Sequence, residues 1–358
     1  MVGLRAVAAA LLLWAGSAAV AEEAPQLLLI ATGGTIAAVA DGRGGYVSGE
    51  LSADVLIAAV PELERLARLE TVQLVNIGSQ DMTPTIWLDL ARTIYQARRE
   101  LPERAIVITH GTDTLEETAF FLDQFFSAGA PIVLTGAARP ATAPGADGPA
   151  NLLDAVRVAL DPASHRRGVV AVKAGQVHAA RRVSKRRADG VAGFESPTGG
   201  PVGRISGGQV RYFGSPDRAA RADLNPAPIE ALPAVAIVHM HAGAEPALLP
   251  MLPELGYRAV VLAGVGNGNA SAGMLAGLGE LREQGLLVVR SSRSAAGWVS
   301  PDIEIDDAGL GFVAAADLSP AKARILTQLL LHFEVEAARH QALFNQVEPI
   351  DWRRAAGR

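Results

Sequence analysis

The chain has 358 residues, 49% of them apolar, with a net charge of -5 and a calculated pI of about 5.8. That length amounts to about two domains and supplies material for a large core. The acidic balance speaks against nucleic acid and anionic membrane as partners, and the absence of cysteine excludes disulfides, thiolate nucleophiles and cysteine-ligated metals.

The chain starts with a basic "MVGLR", an apolar "AVAAALLLWAG" and a small-residue "SAAVA", with Ala19 and Ala21 placed for cleavage before Glu22. Residues 1–21 therefore read as a secretory signal peptide, because the apolar run is well short of the roughly 20 residues a spanning helix needs. The mature protein is expected to be soluble and exported to a bacterial periplasm.

Beyond the leader, short apolar runs alternate with stretches of helical period. The runs are "LLLIA" (27–31), "VQLVNI" (72–77), "AIVIT" (105–109), "PIVLT" (131–135) and "GVVAV" (168–172), and the helix candidates between them include "TIWLDLARTIYQARRE" and "LEETAFFLDQFFSA". This alternation predicts a larger α/β domain over 22–214 with a mostly parallel, doubly wound sheet. A Pro- and Ala-rich polar stretch, 215–233, reads as a linker. The alternation resumes in "AVAIV" (234–238), "AVVLA" (259–263) and "LLVVR" (286–290), and one amphipathic helix, "KARILTQLLLHFEVEAARHQAL", follows. A smaller α/β domain over 234–346 and a surface extension over 347–358 complete the expected organisation.

Open parallel sheets bind ligands beyond the carboxyl ends of their strands. Four runs end in polar or glycine-rich segments, "TGGTIA" (32–37), "GSQDM" (78–82), "HGTDT" (110–114) and "GAARP" (136–140), which this topology would bring to one rim. Thr114 with Glu117 fits a helix capping box, and Asp113 could bond the same amides. Thr35 and Thr112 each follow a glycine, so the backbone can approach a ligand while a hydroxyl faces it. A hydroxyl needs a partner to take its proton before it attacks, and the free amides of the helix starting near Leu115 suit an oxyanion.

The candidate base is Lys185 in "RRVSKRR" (181–187); such a run is equally the pattern of a solvated basic face, and the sequence alone does not choose. Dinucleotide and P-loop glycine spacings are absent, and "GVGNGN" (264–269) lacks the third glycine of the fingerprint. His239 and His241 alternate around Met240 without a nearby acid, a pattern more often packed than metal-bound.

The segments "ATGGTIA", "VNIGSQDM", "VITHGTDTLEETAFFLD", "ADGPANL", "AGVGNGN" and "VVRSSR" resemble, in order and over roughly 26–346, the bacterial type II L-asparaginase and glutaminase-asparaginase family. The resemblance implies a metal-free, cofactor-free amidohydrolase that converts L-asparagine, and L-glutamine as a second substrate, to the acid and ammonia. It implies Thr35 as nucleophile, with Tyr46 and Glu304 around it, and a second set of Thr112, Asp113 and Lys185 that handles protons. Substrate binding falls to Gly34, Ser79, Gln80, Thr112 and Asp113, with Ala137 near the side-chain amide. Asn269 and Glu304 are implied to reach the site from a neighbouring subunit of a homotetramer.

The glycine-rich loop between Thr35 and Tyr46 reads as a closing lid. Around the lysine the family often shows "DGRDVTKTNT", whereas "AARRVSKRRA" adds Arg182, Arg186 and Arg187 beside the candidate base. A periplasmic amino-acid binding protein without turnover is the main rival, since two α/β domains and a leader suit it too. An amidase subunit acting on glutamyl-tRNA fits poorly with the leader and the acidic balance.

Overall fold

The computed structural model describes residues 24–357 apart from 44, 127–128, 216–221 and 348–349. The leader read at 1–21 and residues 216–221 of the 215–233 stretch lie outside the described residues.

Eight strands form the main sheet: β1 (Gln26–Gly33), β2 (Arg68–Ile77), β3 (Ala105–Thr109), β4 (Ile132–Thr135), β5 (Val169–Lys173), β6 (Gln176–Ala179), β7 (Gly203–Ser206) and β8 (Gln209–Tyr212). Their spatial order is β8-β7-β6-β5-β4-β3-β1-β2, with β2 through β5 parallel and the β6–β8 edge antiparallel. The continuous apolar runs follow from burial on both faces. Leu28, Ile30, Ile106 and Ile108 pack with helices α1 (Pro84–Glu100) and α2 (Leu115–Asp123). Leu27, Leu29 and Val107 pack on the other side with α3 (Gly148–Leu160). α1 starts as its sequence dictates: the Thr83 hydroxyl accepts from the Ile86 amide at 3.3 Å, and Pro84 occupies the first turn, where no amide is needed.

The antiparallel edge escaped the sequence reading. β7 and β8 are four-residue strands that bury one face at most, so they lack the long apolar run that marked the parallel strands. Ala174 and Gly175, both at positive φ, reverse the chain from β5 into β6.

A second parallel sheet has the order β9 (Val235–His239), β10 (Ala259–Gly264), β11 (Leu287–Ser292) and β12 (Val313–Ala314). Helix α4 (Ala272–Glu283) covers one face, where Met274, Leu278 and Leu281 meet Val260, Leu262 and Val288. Helix α5 (Pro320–His332) covers the other. Its Leu326 and Leu329 share one apolar cluster with Val261 and Val289 of this sheet and with Phe120 and Phe121 of α2, which ties the two sheets together.

Three expectations change. The last helix is not continuous: Glu334, at φ 51, turns the chain between α5 and α6 (Ala337–Asn345), and Val335 is buried at the corner. The tail is not a surface extension, because Trp352 is 2% exposed and stacks on Phe333 with ring centroids 5.0 Å apart. The described part of the 215–233 stretch packs on the first domain. Asp223 pairs with Arg98 at 3.1 Å, the Leu224 amide donates to the Phe125 carbonyl at 2.8 Å, and Ile229 is buried.

Candidate active site

The carboxyl ends of β1, β2, β3 and β4 meet on one rim, and glycine makes the meeting close. Gly34, at φ 81, lies so near β3 that a Cβ there would sit 2.3 Å from the Gly111 Cα. A Cβ on Gly111 would in turn sit 2.6 Å from the Ser79 hydroxyl. Only residues without side chains allow three strand ends to stack this tightly.

A cavity of about 330 Å³ opens there, lined by Gly34, Thr35, Tyr46, Ser79, Gln80 and Thr112 among others, with Asp113, Lys173 and Lys185 on its walls. Thr35 starts a single turn of 3-10 helix, and its hydroxyl lies 3.4 Å from the Tyr46 hydroxyl, which arrives on a short hairpin, Val39–Ala40 with Tyr46–Val47. The Lys185 Nζ lies 2.9 Å from the Thr112 hydroxyl and 2.5 Å from an Asp113 carboxylate oxygen. A carboxylate of α2 holds that lysine in place: Glu116 accepts from the Lys185 amide at 2.9 Å. The Ser79 hydroxyl accepts from the Asp113 amide at 3.1 Å, so the turn after β2 and the turn after β3 fix each other.

Thr114 does not cap its helix. Its hydroxyl donates to the Ser79 carbonyl at 2.7 Å, and Glu117 instead pairs with Arg324 of α5 at 3.3 Å. The polar crowding of "HGTDT" therefore serves the joint between strand ends and not the capping box read from the sequence. The basic run is also dispersed. Lys185 faces the cavity from a two-residue strand paired with Phe194–Glu195, while Arg186 and Arg187 are exposed and Arg187 lies 3.8 Å from Glu195. Arg182 lies against Gly199, and Arg181 is buried in a 2.5 Å pair with Asp317.

Among the other sequence-read residues, Ala137 is buried behind the wall and Ala138 lines it. Asn269 and Glu304 hydrogen-bond to each other on the second domain and line none of this cavity. Arg290, fully buried, holds both of their loops: it donates to Asp307 at 2.5 Å twice and to the Asn267 carbonyl at 2.9 Å. His239 and His241 are exposed, and the buried member of "HMH" is Met240.

His110 went unremarked in the sequence although it opens "HGTDT". It is fully buried, and burial lowers its pKa from 6.5 to about 4, against a smaller upward pull from the Gly111 carbonyl. The neutral ring has one proton, and the Gly111 carbonyl, 2.7 Å from Nδ1, can only accept it. Nε2 must then accept from the Thr118 hydroxyl at 2.9 Å, which itself accepts from the Trp87 indole at 2.8 Å. This chain anchors the backbone immediately before Thr112.

Comparison with known proteins agrees with the geometry. Residues 26–218 match the model of the asparaginase N-terminal domain, and residues 234–344 match that of the glutaminase/asparaginase C-terminal domain. The chain is 43% identical to a probable periplasmic L-asparaginase of Haemophilus influenzae, covering 88% of this chain and 91% of that one. It is 41% identical to L-asparaginase 2 of Escherichia coli, covering 90% and 93%, and 35% identical to a glutaminase-asparaginase of Pseudomonas fluorescens, covering 89% and 90%. Among solved structures, a probable cytoplasmic L-asparaginase of Campylobacter jejuni superposes with a TM-score of 0.83 at 37% identity, over 90% of this chain and 99% of that one. The chain belongs to the asparaginase family of amidohydrolases.

Proposed function

We propose that this protein hydrolyses L-asparagine, with L-glutamine as a second substrate, to the corresponding acid and ammonia. The observation that carries the reading is the Lys185 amine, set between Thr112 and Asp113 on the rim where Thr35 meets Tyr46. A lysine amine within hydrogen-bond reach of a threonine hydroxyl gives that hydroxyl's proton a path away, and a hydroxyl attacks an amide only when its proton has somewhere to go.

In the first half-reaction the Thr35 oxygen attacks the side-chain carbonyl, its proton passes toward the leaving nitrogen, and ammonia departs from an ester on Thr35. In the second, water attacks that ester, losing its proton through Thr112 and Lys185, and releases aspartate while restoring the Thr35 hydroxyl. Ser79 and Gln80 bind the α-carboxylate, and the Asp113 carboxylate binds the α-ammonium. Gly34, without a side chain, leaves the wall open to the substrate. Asn269 and Glu304 complete the site of a second copy in a homotetramer, which explains why they pair outside their own cavity. The 1–21 leader exports the chain, so the mature periplasmic protein begins at Glu22.

The test is ammonia release from L-asparagine and L-glutamine by the purified full chain. Turnover supports the amidohydrolase reading; tight binding of both amides with no ammonia supports the amino-acid binding protein instead.

A further inference from the structure

The apolar strand β5 ends in a lysine, and the reaction scheme above does not use it. Lys173 is 5% exposed, lines the cavity, and places Nζ 2.5 Å from a carboxylate oxygen of Asp147. Asp147 stands before the first turn of α3 but caps nothing there. Its carboxylate gathers donors from the wall instead: the Ala138 amide at 3.0 Å, the Arg139 amide at 2.9 Å and the Asn151 side chain at 2.9 Å. Asn151 also donates to the Gly136 carbonyl at 2.9 Å and accepts from the Ala174 amide at 3.0 Å.

The segment from Gly136 to Arg139 is thus held at three backbone atoms by a cluster of Asp147, Asn151 and Lys173, in which the charge opposite the Asp147 carboxylate comes from Lys173. Ala138, in the middle of that segment, forms cavity wall. Burial makes the Asp147 carboxyl harder to ionise, but the bonds from Lys173 and the two amides outweigh it and hold its pKa below the usual carboxylate range. Removing the ammonium would leave a buried carboxylate short of its counter-charge, and the wall that hangs on it would relax.

We propose that Lys173 is a specificity-determining positioning residue: through Asp147 it locks the Gly136–Arg139 wall and thereby sets the length of amino-acid side chain the cavity accepts. This rests on the amidohydrolase reading for the identity of the ligands. A rigid wall separates ligands one methylene apart by about 10- to 200-fold, and a relaxed one separates them less.

The experiment measures L-aspartate and L-glutamate binding by calorimetry, alongside kcat/KM on asparagine and glutamine, for the wild type, Lys173→Arg and Lys173→Met. Lys173→Met is expected to bring the two ligands' affinities closer together by about tenfold, and the two kcat/KM values likewise. Lys173→Arg, which keeps the ion pair, is expected to retain most of the wild-type ratio. If Lys173→Met does not fold, the double variant Lys173→Met/Asp147→Asn removes both charges and is read by the same ratio. A ratio that stays at the wild-type value, with both ligands weakened equally or not at all, overturns the proposal. The binding ratio needs no turnover, so a wild type that binds both acids but releases no ammonia would defeat the enzyme reading and leave this measurement intact.

Discussion

Replacing His110 by Asn removes one titrating group from the core and keeps a side-chain amide that can donate to the Gly111 carbonyl. In the folded protein His110 stays neutral down to about pH 4, whereas in the unfolded chain it takes a proton below about 6.5. The folded-state pKa is depressed, so the stability tied to the neutral ring is fully present above pH 6.5. It is lost as the pH falls and is gone once the pH passes below about 4. At roughly 1.4 kcal/mol per tenfold in proton concentration, that interval is worth about 3 kcal/mol. His178, also buried and also held near pKa 4 by burial, contributes a similar slope that the substitution leaves in place. Carboxylates add their own acid dependence to both proteins, so the difference between the two curves carries the information. The assay is chemical denaturation of wild type and His110→Asn at one protein concentration across the pH 4 to 6.5 window. The variant is expected to start lower, because the Thr118 hydroxyl loses its acceptor, and to lose about 3 kcal/mol less than wild type over the window. Parallel curves would refute the assignment of a buried neutral imidazole.

Arg290→Met strands the Asp307 carboxylate, which is 3% exposed, and is expected to cost about 3–5 kcal/mol in denaturant unfolding; the double variant Arg290→Met/Asp307→Leu should recover part of it. Gly34→Ala puts a Cβ against the Gly111 backbone at a positive φ, so displacement of the strand ends is expected to lower kcat by about 100-fold, measured as ammonia release. Lys185→Met is expected to lower kcat by about 10²- to 10⁴-fold while the protein keeps its melting temperature within a few degrees, as a lost general base would. Thr35→Ala and Glu304→Ala chains, inactive alone, should regain activity when unfolded together and refolded as mixed oligomers; no recovery would count against a site shared between copies.

The parallel strands were legible because burial on both faces leaves runs such as "AIVIT" apolar up to their last residue, and β3 runs over the same 105–109 in the structure. The antiparallel edge was hidden, since β7 and β8 are short and half-exposed. The rim residues could be picked out as hydroxyls and acids following glycines, but their partners could not. That Thr114 bonds the Ser79 carbonyl depends on two turns 35 residues apart meeting, which local spacing does not encode. Lys173 did leave a signal, a charged residue closing a fully apolar strand on the same rim, and His110 left one as the first residue after β3. The break at Glu334 was masked because the apolar period continues through "HFEVEA" while the backbone turns.

The central claim is that threonine hydroxyls served by Lys185 hydrolyse the amide. It is tested most directly by comparing wild type with Thr112→Val in ammonia release from L-asparagine, with L-aspartate binding measured on the same samples. Both proteins are expected to bind aspartate, and release by the variant is expected to fall by at least about 100-fold. Release by Thr112→Val at the wild-type rate would contradict it.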